Sequence, residues 1–154
     1  MTTVQTKYFG SLEYRQESLY DFPDGIPGFE NAKQFLFIDQ PLTKPLVFMQ
    51  SLAQPSLCFA GLPIRCIDPN YKLHIAPEDL GSLQLSPERQ PEIGSEVLCL
   101  ALLSLSEDQP PTANLLAPII VNLKARLGLQ AIQTSSDYSH LHALSGGSME
   151  APCC

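Results

Sequence analysis

Fourteen prolines and nine glycines interrupt this chain of 154 residues so often that long helices have no room between them. A proline inside a helix removes a backbone donor and clashes with the preceding turn, at roughly 3 kcal/mol. Between the breaks lie runs rich in aromatic and branched side chains. Their spacing predicts strands near 4–14, 18–22, 34–38, 46–51, 57–62, 71–75, 97–105, 119–123 and 129–134. Many short strands separated by turn signals describe an all-β, mainly antiparallel domain, either a sandwich or a small barrel. A short helix is expected at 77–83, "PEDLGSL", where Pro77 suits the first turn and Glu78 and Asp79 face the positive end of the helix dipole.

Residues 112–122, "TANLLAPIIVN", resist this division. Leu116, Ile119, Ile120, Leu123 and Leu127 would share a helical face, with Thr112 as N-cap and Gly128 as stop. Pro118 and the β-branched cluster Ile119-Ile120-Val121 oppose that helix. The alternative is a turn from Thr112 to Ala117, then a strand starting at Pro118, where proline is tolerated. "KARLG" then makes a hairpin loop and "LQAIQT" returns antiparallel. Turn plus hairpin is the expected structure, with Thr112 and Asn114 satisfying the turn. Asn122 has no evident role in so apolar a strand.

"DFPDGIPGFE", at 21–30, is dense in turn chemistry. Asp24-Gly25 suits a tight turn, and Ile26-Pro27-Gly28-Phe29 suits a type II turn with glycine supplying the positive φ. Phe22 and Phe29 are then either aromatic groups presented by a rigid loop or side chains folded back into the core.

The 16 acidic and 9 basic side chains leave a net charge of −7. Phosphates demand neutralisation by Lys and Arg, so direct nucleic-acid binding is not expected; so acidic a chain is better suited to a basic partner, or to keeping RNA away from one. The acids cluster: Glu78, Asp79, Glu88, Glu92, Glu96, Glu107 and Asp108 stand against Arg89 alone between positions 78 and 108, a run that on its residues alone reads first as a solvated loop surface. The longest apolar run, "VLCLALL" at 97–103, has the length of a buried strand and falls short of the roughly 18 residues that span a bilayer. "MTTVQTKYFGS" has neither the basic start nor the apolar centre of a signal peptide. A soluble cytoplasmic protein, monomeric by itself and without a membrane partner, is the expectation. Of the five cysteines, Cys58, Cys66 and Cys99 lie in or beside apolar runs and read as reduced thiols rather than a disulfide framework. Cys153 and Cys154 close a Gly/Ser tail, "LSGGSMEAPCC", expected to be disordered. The domain is therefore placed at 1–143 and the tail at 144–154.

No GxSxG elbow, HExxH, phosphate loop or dinucleotide fingerprint is present. Cys58 with His74 is a conceivable nucleophile–base pair, and His140 with His142 could share a face of an extended segment to chelate a metal. These carry the alternative reading, a small hydrolase or metal-dependent enzyme. The favoured reading has no catalytic residue, cofactor or metal.

The segment "PTANLLAPIIVN", followed by Gln130, resembles the signature of the FliW flagellar assembly factor family. "DFPDGIPGFE" is similar to that family's early loop. "FLFI", "PLVFMQSL" and "CFAGLPIRCIDPNYKLHI" follow in its order, and "LQAIQTSSDYSHLHAL" resembles its closing strand. The likeness runs from about Val4 to Leu144. Arg65 and Cys66 depart from a segment that is usually more apolar or acidic, and the Cys-Cys tail is not a family feature. The resemblance implies a small β-barrel-like domain without catalysis and with two partners: flagellin, and the basic RNA-binding repressor CsrA, which FliW sequesters when flagellin releases it. Candidate partner-binding residues are Phe22, Pro27, Gly28, Phe29 and Glu30 in the loop, and Asn114, Ala117, Pro118 and Asn122 in the signature. The alternative is that both motifs hold the fold together. Glu78, Asp79, Glu88, Glu92 and Glu96 are the candidate electrostatic surface toward CsrA.

Overall fold

The computed structural model describes residues 2–134 and 137–144. Its strands are β1 (Thr2–Thr6), β2 (Gly10–Tyr14), β3 (Leu19–Asp21), β4 (Gln34–Asp39) and β5 (Val47–Ser51). They continue with β6 (Cys58–Pro63), β7 (Val97–Ser104), β8 (Thr112–Asn122), β9 (Leu127–Gln130) and β10 (His142–Ala143). One helix, α1 (Pro77–Ser82), stands at the place its proline and acids predicted.

Seven strands close a barrel in the order β8-β7-β6-β5-β4-β3-β9 and back to β8. All pairings are antiparallel except β3 with β9, a parallel contact of Asp21 with Leu127. Closure removes exposed sheet edges, which otherwise invite aggregation. Strand alternation sorts the side chains. Phe35, Met49, Leu100, Ile119 and Val121 point inward and pack with Phe22, Ile26 and Ala32. Val97, Cys99, Ala101, Ala113, Leu115 and Ile120 point outward, where Leu62, Ile64, Tyr71, Ile75, Leu80 and Leu83 cover them. β7 and β8 are thus buried on both faces, which explains why "VLCLALL" and "PIIV" are continuously apolar rather than alternating.

Three expectations need correction. Residues 4–14 are not one strand. The chain reverses at Lys7–Phe9, with Gly10 at φ +66° and the Thr6 hydroxyl accepting from Phe9 N–H at 3.0 Å and donating to Gly10 O at 2.8 Å. Segment 71–75 is not a strand, although its alternation is real: Tyr71 and Ile75 are buried while Lys72 and His74 are exposed. Side chains replace the missing ladder. Lys72 N–H donates to Tyr138 Oη, His74 N–H to Gln133 Oε1 and Ile75 N–H to Gln90 Oε1, at 2.7–2.8 Å. Period two selects a face; it does not supply a neighbouring strand. Cys66, finally, is disulfide-bonded rather than a reduced thiol; it ends a 3-10 turn, Ile64–Cys66, outside the strands that hold the free thiols Cys58 and Cys99.

Leu144, assigned to the tail from sequence, belongs to the fold: it is buried in the outer core and its N–H donates to Pro111 O. The rest of the expected tail, including Cys153 and Cys154, lies outside the described residues.

Candidate functional site

Residues 112–122 form one long strand, not a turn followed by a strand. The proline effect is nevertheless visible. β7 passes from Leu100 to Leu102 while β8 passes from Ile119 to Asn114, so Leu115–Pro118 bulge out of the ladder. A bulge leaves backbone groups that need other partners. All are met here. Asn114 Oδ1 accepts from Leu116 N–H and Ala117 N–H at 3.1 and 2.9 Å, and Leu115 N–H donates to Ser139 O at 2.9 Å. The carbonyls of Leu115, Leu116, Ala117 and Pro118 accept from Tyr71 Oη, Gln133 N–H, Gln130 Nε2 and Ala131 N–H respectively. Pro118, which has no N–H, occupies the one position that needs no acceptor.

Asn122 is explained by position rather than by strand pattern. Buried at the end of β8, it donates through Nδ2 to Leu83 O at 2.7 Å, just past α1. Its Oδ1 accepts from Lys124 N–H and Ala125 N–H at 3.0 and 3.2 Å, capping the β8–β9 turn. Of the four signature candidates, Pro118 and Asn122 are buried, and Asn114 and Ala117 are half-buried within this network. Pro118 and Asn122 are thus buried within the fold, with the Asn122 side chain fully engaged by backbone groups.

The 21–30 loop closes one end of the barrel. Phe29 N–H returns to Ile26 O at 2.6 Å with Gly28 at φ +90°, the expected type II geometry. Phe22 is wholly buried, its ring 5.2 Å from Phe35 and packed on Gly128. Phe22 thus lies in the inner core. Phe29 is 39% exposed and stands edge-on to Phe59 at 5.3 Å. Pro27, Gly28 and Glu30 are exposed, and Glu30 accepts from Gly28 N–H at 2.9 Å, which holds its carboxyl below the ordinary value. At Gly25, φ is +67° and an added Cβ would meet Glu30 Cα at 2.6 Å. Gly25→Ala is expected to cost about 2 kcal/mol from left-handed strain alone, read as a lower midpoint in urea unfolding.

The acidic surface is uneven. Glu78, Glu88 and Glu92 are exposed, and Asp79 is half-buried, its carboxyl pushed up by burial and then by Glu78 and Asp24. Glu96 differs: Arg89 grips it with two bonds of 2.8 and 2.7 Å, and Glu92 N–H adds a third at 3.0 Å. These bonds, Arg89's first, bring the Glu96 carboxyl down to about 2. Because the folded value lies below the ordinary 4.5, the pairing stabilises above that pH and is lost as pH falls through about 2. Titration of the Glu96 side-chain carbon by NMR should show this low midpoint, and Arg89→Gln should return it toward the usual carboxylate range. Glu96 is consequently a loop fastener whose charge is already compensated.

The enzymatic candidates do not converge. Burial pushes the Cys58 thiol up to about 11, the reverse of what a nucleophile needs, and its sulfur lies 3.9 Å from Phe59 O. Among the described residues no hydrogen bond joins it to His74, whose backbone N–H donates to Gln133 Oε1. His142 lies in β10 and His140 in the preceding turn. Among the described residues no group of three His, Cys, Asp or Glu could hold a metal ion, and no helix is long and apolar enough to cross a membrane. Sequence reasoning missed Tyr71, Gln133 and Gln90, side chains that tie loops to the barrel, and gave Gln130 no role beyond its place after the signature. Their only local signal is a polar group beside buried apolar neighbours.

A closed seven-stranded barrel, plugged at one end by an aromatic loop and backed by a second apolar layer, defines a small scaffold domain that presents its surface. A family model described as FliW protein matches residues 3–144. A flagellar assembly factor FliW of Syntrophomonas wolfei is 36% identical over 142 residues, covering 92% of this chain and 87% of that protein. One of Geobacillus kaustophilus is 32% identical, covering 92% and 94%. A crystal structure of the flagellar assembly factor FliW superposes with a TM-score of 0.80 at 31% identity, covering 94% of this chain and 97% of the other. The chain belongs to the FliW family.

Proposed function

We propose that this protein is a non-enzymatic cytoplasmic regulator that binds flagellin and sequesters CsrA, coupling flagellin synthesis to assembly. Family membership over residues 3–144 is the observation that carries this reading. The net charge of −7 supports it, because an acidic domain attracts a basic RNA-binding protein and competes with its phosphate ligands. An apolar groove of about 280 Å³ between the β1–β2 tip and the β5–β6 face, lined by Tyr8, Phe9, Phe48, Cys58 and Ala60, has the character that the apolar face of a flagellin helix requires.

The test is binding of the purified protein to flagellin, to CsrA and to both together across ionic strength. Both partners should bind, and CsrA association should slow as salt rises, because steering is screened beyond a Debye length of about 8–10 Å. Neutralising Glu78, Glu88 and Glu92 should slow that association most at low salt. Unaltered salt dependence in this variant would remove the acidic stretch from the interface, and failure to bind either partner would overturn the reading.

A further inference from the structure

The end of the barrel opposite the 21–30 loop is open. Antiparallel order brings the starts of β3, β5 and β7 and the end of β4 together there. They frame a cavity of about 460 Å³ lined by Glu17, Ser18, Tyr20, Phe37, Asp39, Val47 and Leu98. The lining is layered. Tyr20, Phe37, Val47 and Leu98 are half-buried side chains continuous with the inner core, and the Tyr20 and Phe37 rings meet at 4.7 Å. Glu17 and Asp39 stand exposed at the rim. Among the described residues, no ion pair or side-chain hydrogen bond engages either carboxylate.

This arrangement selects its occupant by exclusion and by fit. An anion would meet two carboxylates. A wholly apolar group would strip them of water without compensation. A bound divalent ion would want more ligands than these two carboxylates offer. A guanidinium on an aliphatic stem satisfies every part: methylenes against Val47 and Leu98, a weakly hydrated planar cation over the aromatic pair, and forked donors for carboxylates. The loop carrying the exposed Glu92 enters β7 at this same end of the barrel.

We propose that the open mouth of the barrel is a socket for one arginine side chain of a basic protein partner. Assigning that arginine to CsrA rests on the function proposed above; the socket itself does not. The probe for the socket is N-acetyl-arginine amide, titrated into the isotope-labelled full chain and followed by NMR. N-acetyl-citrulline amide, which keeps the stem and loses the charge, is the control. Signals of Tyr20, Phe37, Val47 and Leu98 should shift with the arginine probe, and the citrulline analogue should bind about fivefold more weakly. Glu17→Gln with Asp39→Asn should abolish that preference while leaving the thermal midpoint unchanged. Equal response to both probes, or shifts elsewhere on the barrel, overturns the socket. In the second arm the same double variant should bind CsrA about tenfold more weakly. CsrA binding that is undiminished overturns the partner assignment and leaves a site for a free small cation only. If the unaltered protein does not bind CsrA, the proposed function fails, and the probe titration alone decides the socket.

Discussion

Phe22→Ala is expected to lower the unfolding free energy by about 3–5 kcal/mol, the range for deleting a fully buried aromatic. Phe22 has no exposed surface, contacts Phe35 and Phe37, and seats its ring on Gly128, where an added Cβ would overlap the ring carbons. A cavity there lies between the plug loop and the strand that closes the barrel, so relaxation is limited by β9 on one side and β4 on the other. Phe29→Ala provides the contrast. That ring is partly exposed and its loss should cost far less stability. Denaturant titration of both variants, followed by partner binding of the folded fraction, separates a core role from a contact role. A Phe22→Ala protein as stable as the parent would refute the plug assignment.

Asn122→Ala is expected to cost about 2–4 kcal/mol, because one side chain serves three backbone groups at a buried junction. Removing it strands the carbonyl of Leu83, itself wholly buried, and frees the N–H groups of Lys124 and Ala125 in the β8–β9 turn. Asn122→Asp distinguishes the two halves of this role. It retains an acceptor for the turn but places a carboxylate against the Leu83 carbonyl, so it should be no more stable than the alanine variant. Hydrogen exchange should report the damage locally, with faster exchange in both α1 and the turn. Loss confined to the turn would show that the link to α1 contributes nothing.

These two residues also show how far the sequence was readable. Local chemistry was legible. Proline and glycine placement located the type II turn at Ile26–Phe29, the helix at Pro77 and the hairpin after Asn122, because each depends on the φ preferences of a few adjacent residues. The aromatic ends of the 21–30 loop were equally visible, but not their direction. Phe22 turns inward and Phe29 stays at the surface because the barrel end has room for one ring against Phe35 and the other meets Phe59 at its edge. The signature segment misled more. Pro118 was correctly taken as incompatible with a helix, yet the stretch before it remained a strand because five partners from distant segments, together with Asn114 of the same strand, satisfy its bulged backbone.

By itself the sequence determined the all-β class, the family and the positions of most strands. All follow from steric limits on φ, alternation of period two and the order of local motifs. Only the tertiary structure decided which strands neighbour one another, why "VLCLALL" is covered on both sides, and that the asparagines are structural anchors. It also decided that one barrel end is plugged while the other opens between Glu17 and Asp39. The reason is physical: a residue's own chemistry states what it needs, a donor, an acceptor or an apolar neighbour. The fold determines which distant residue meets that need.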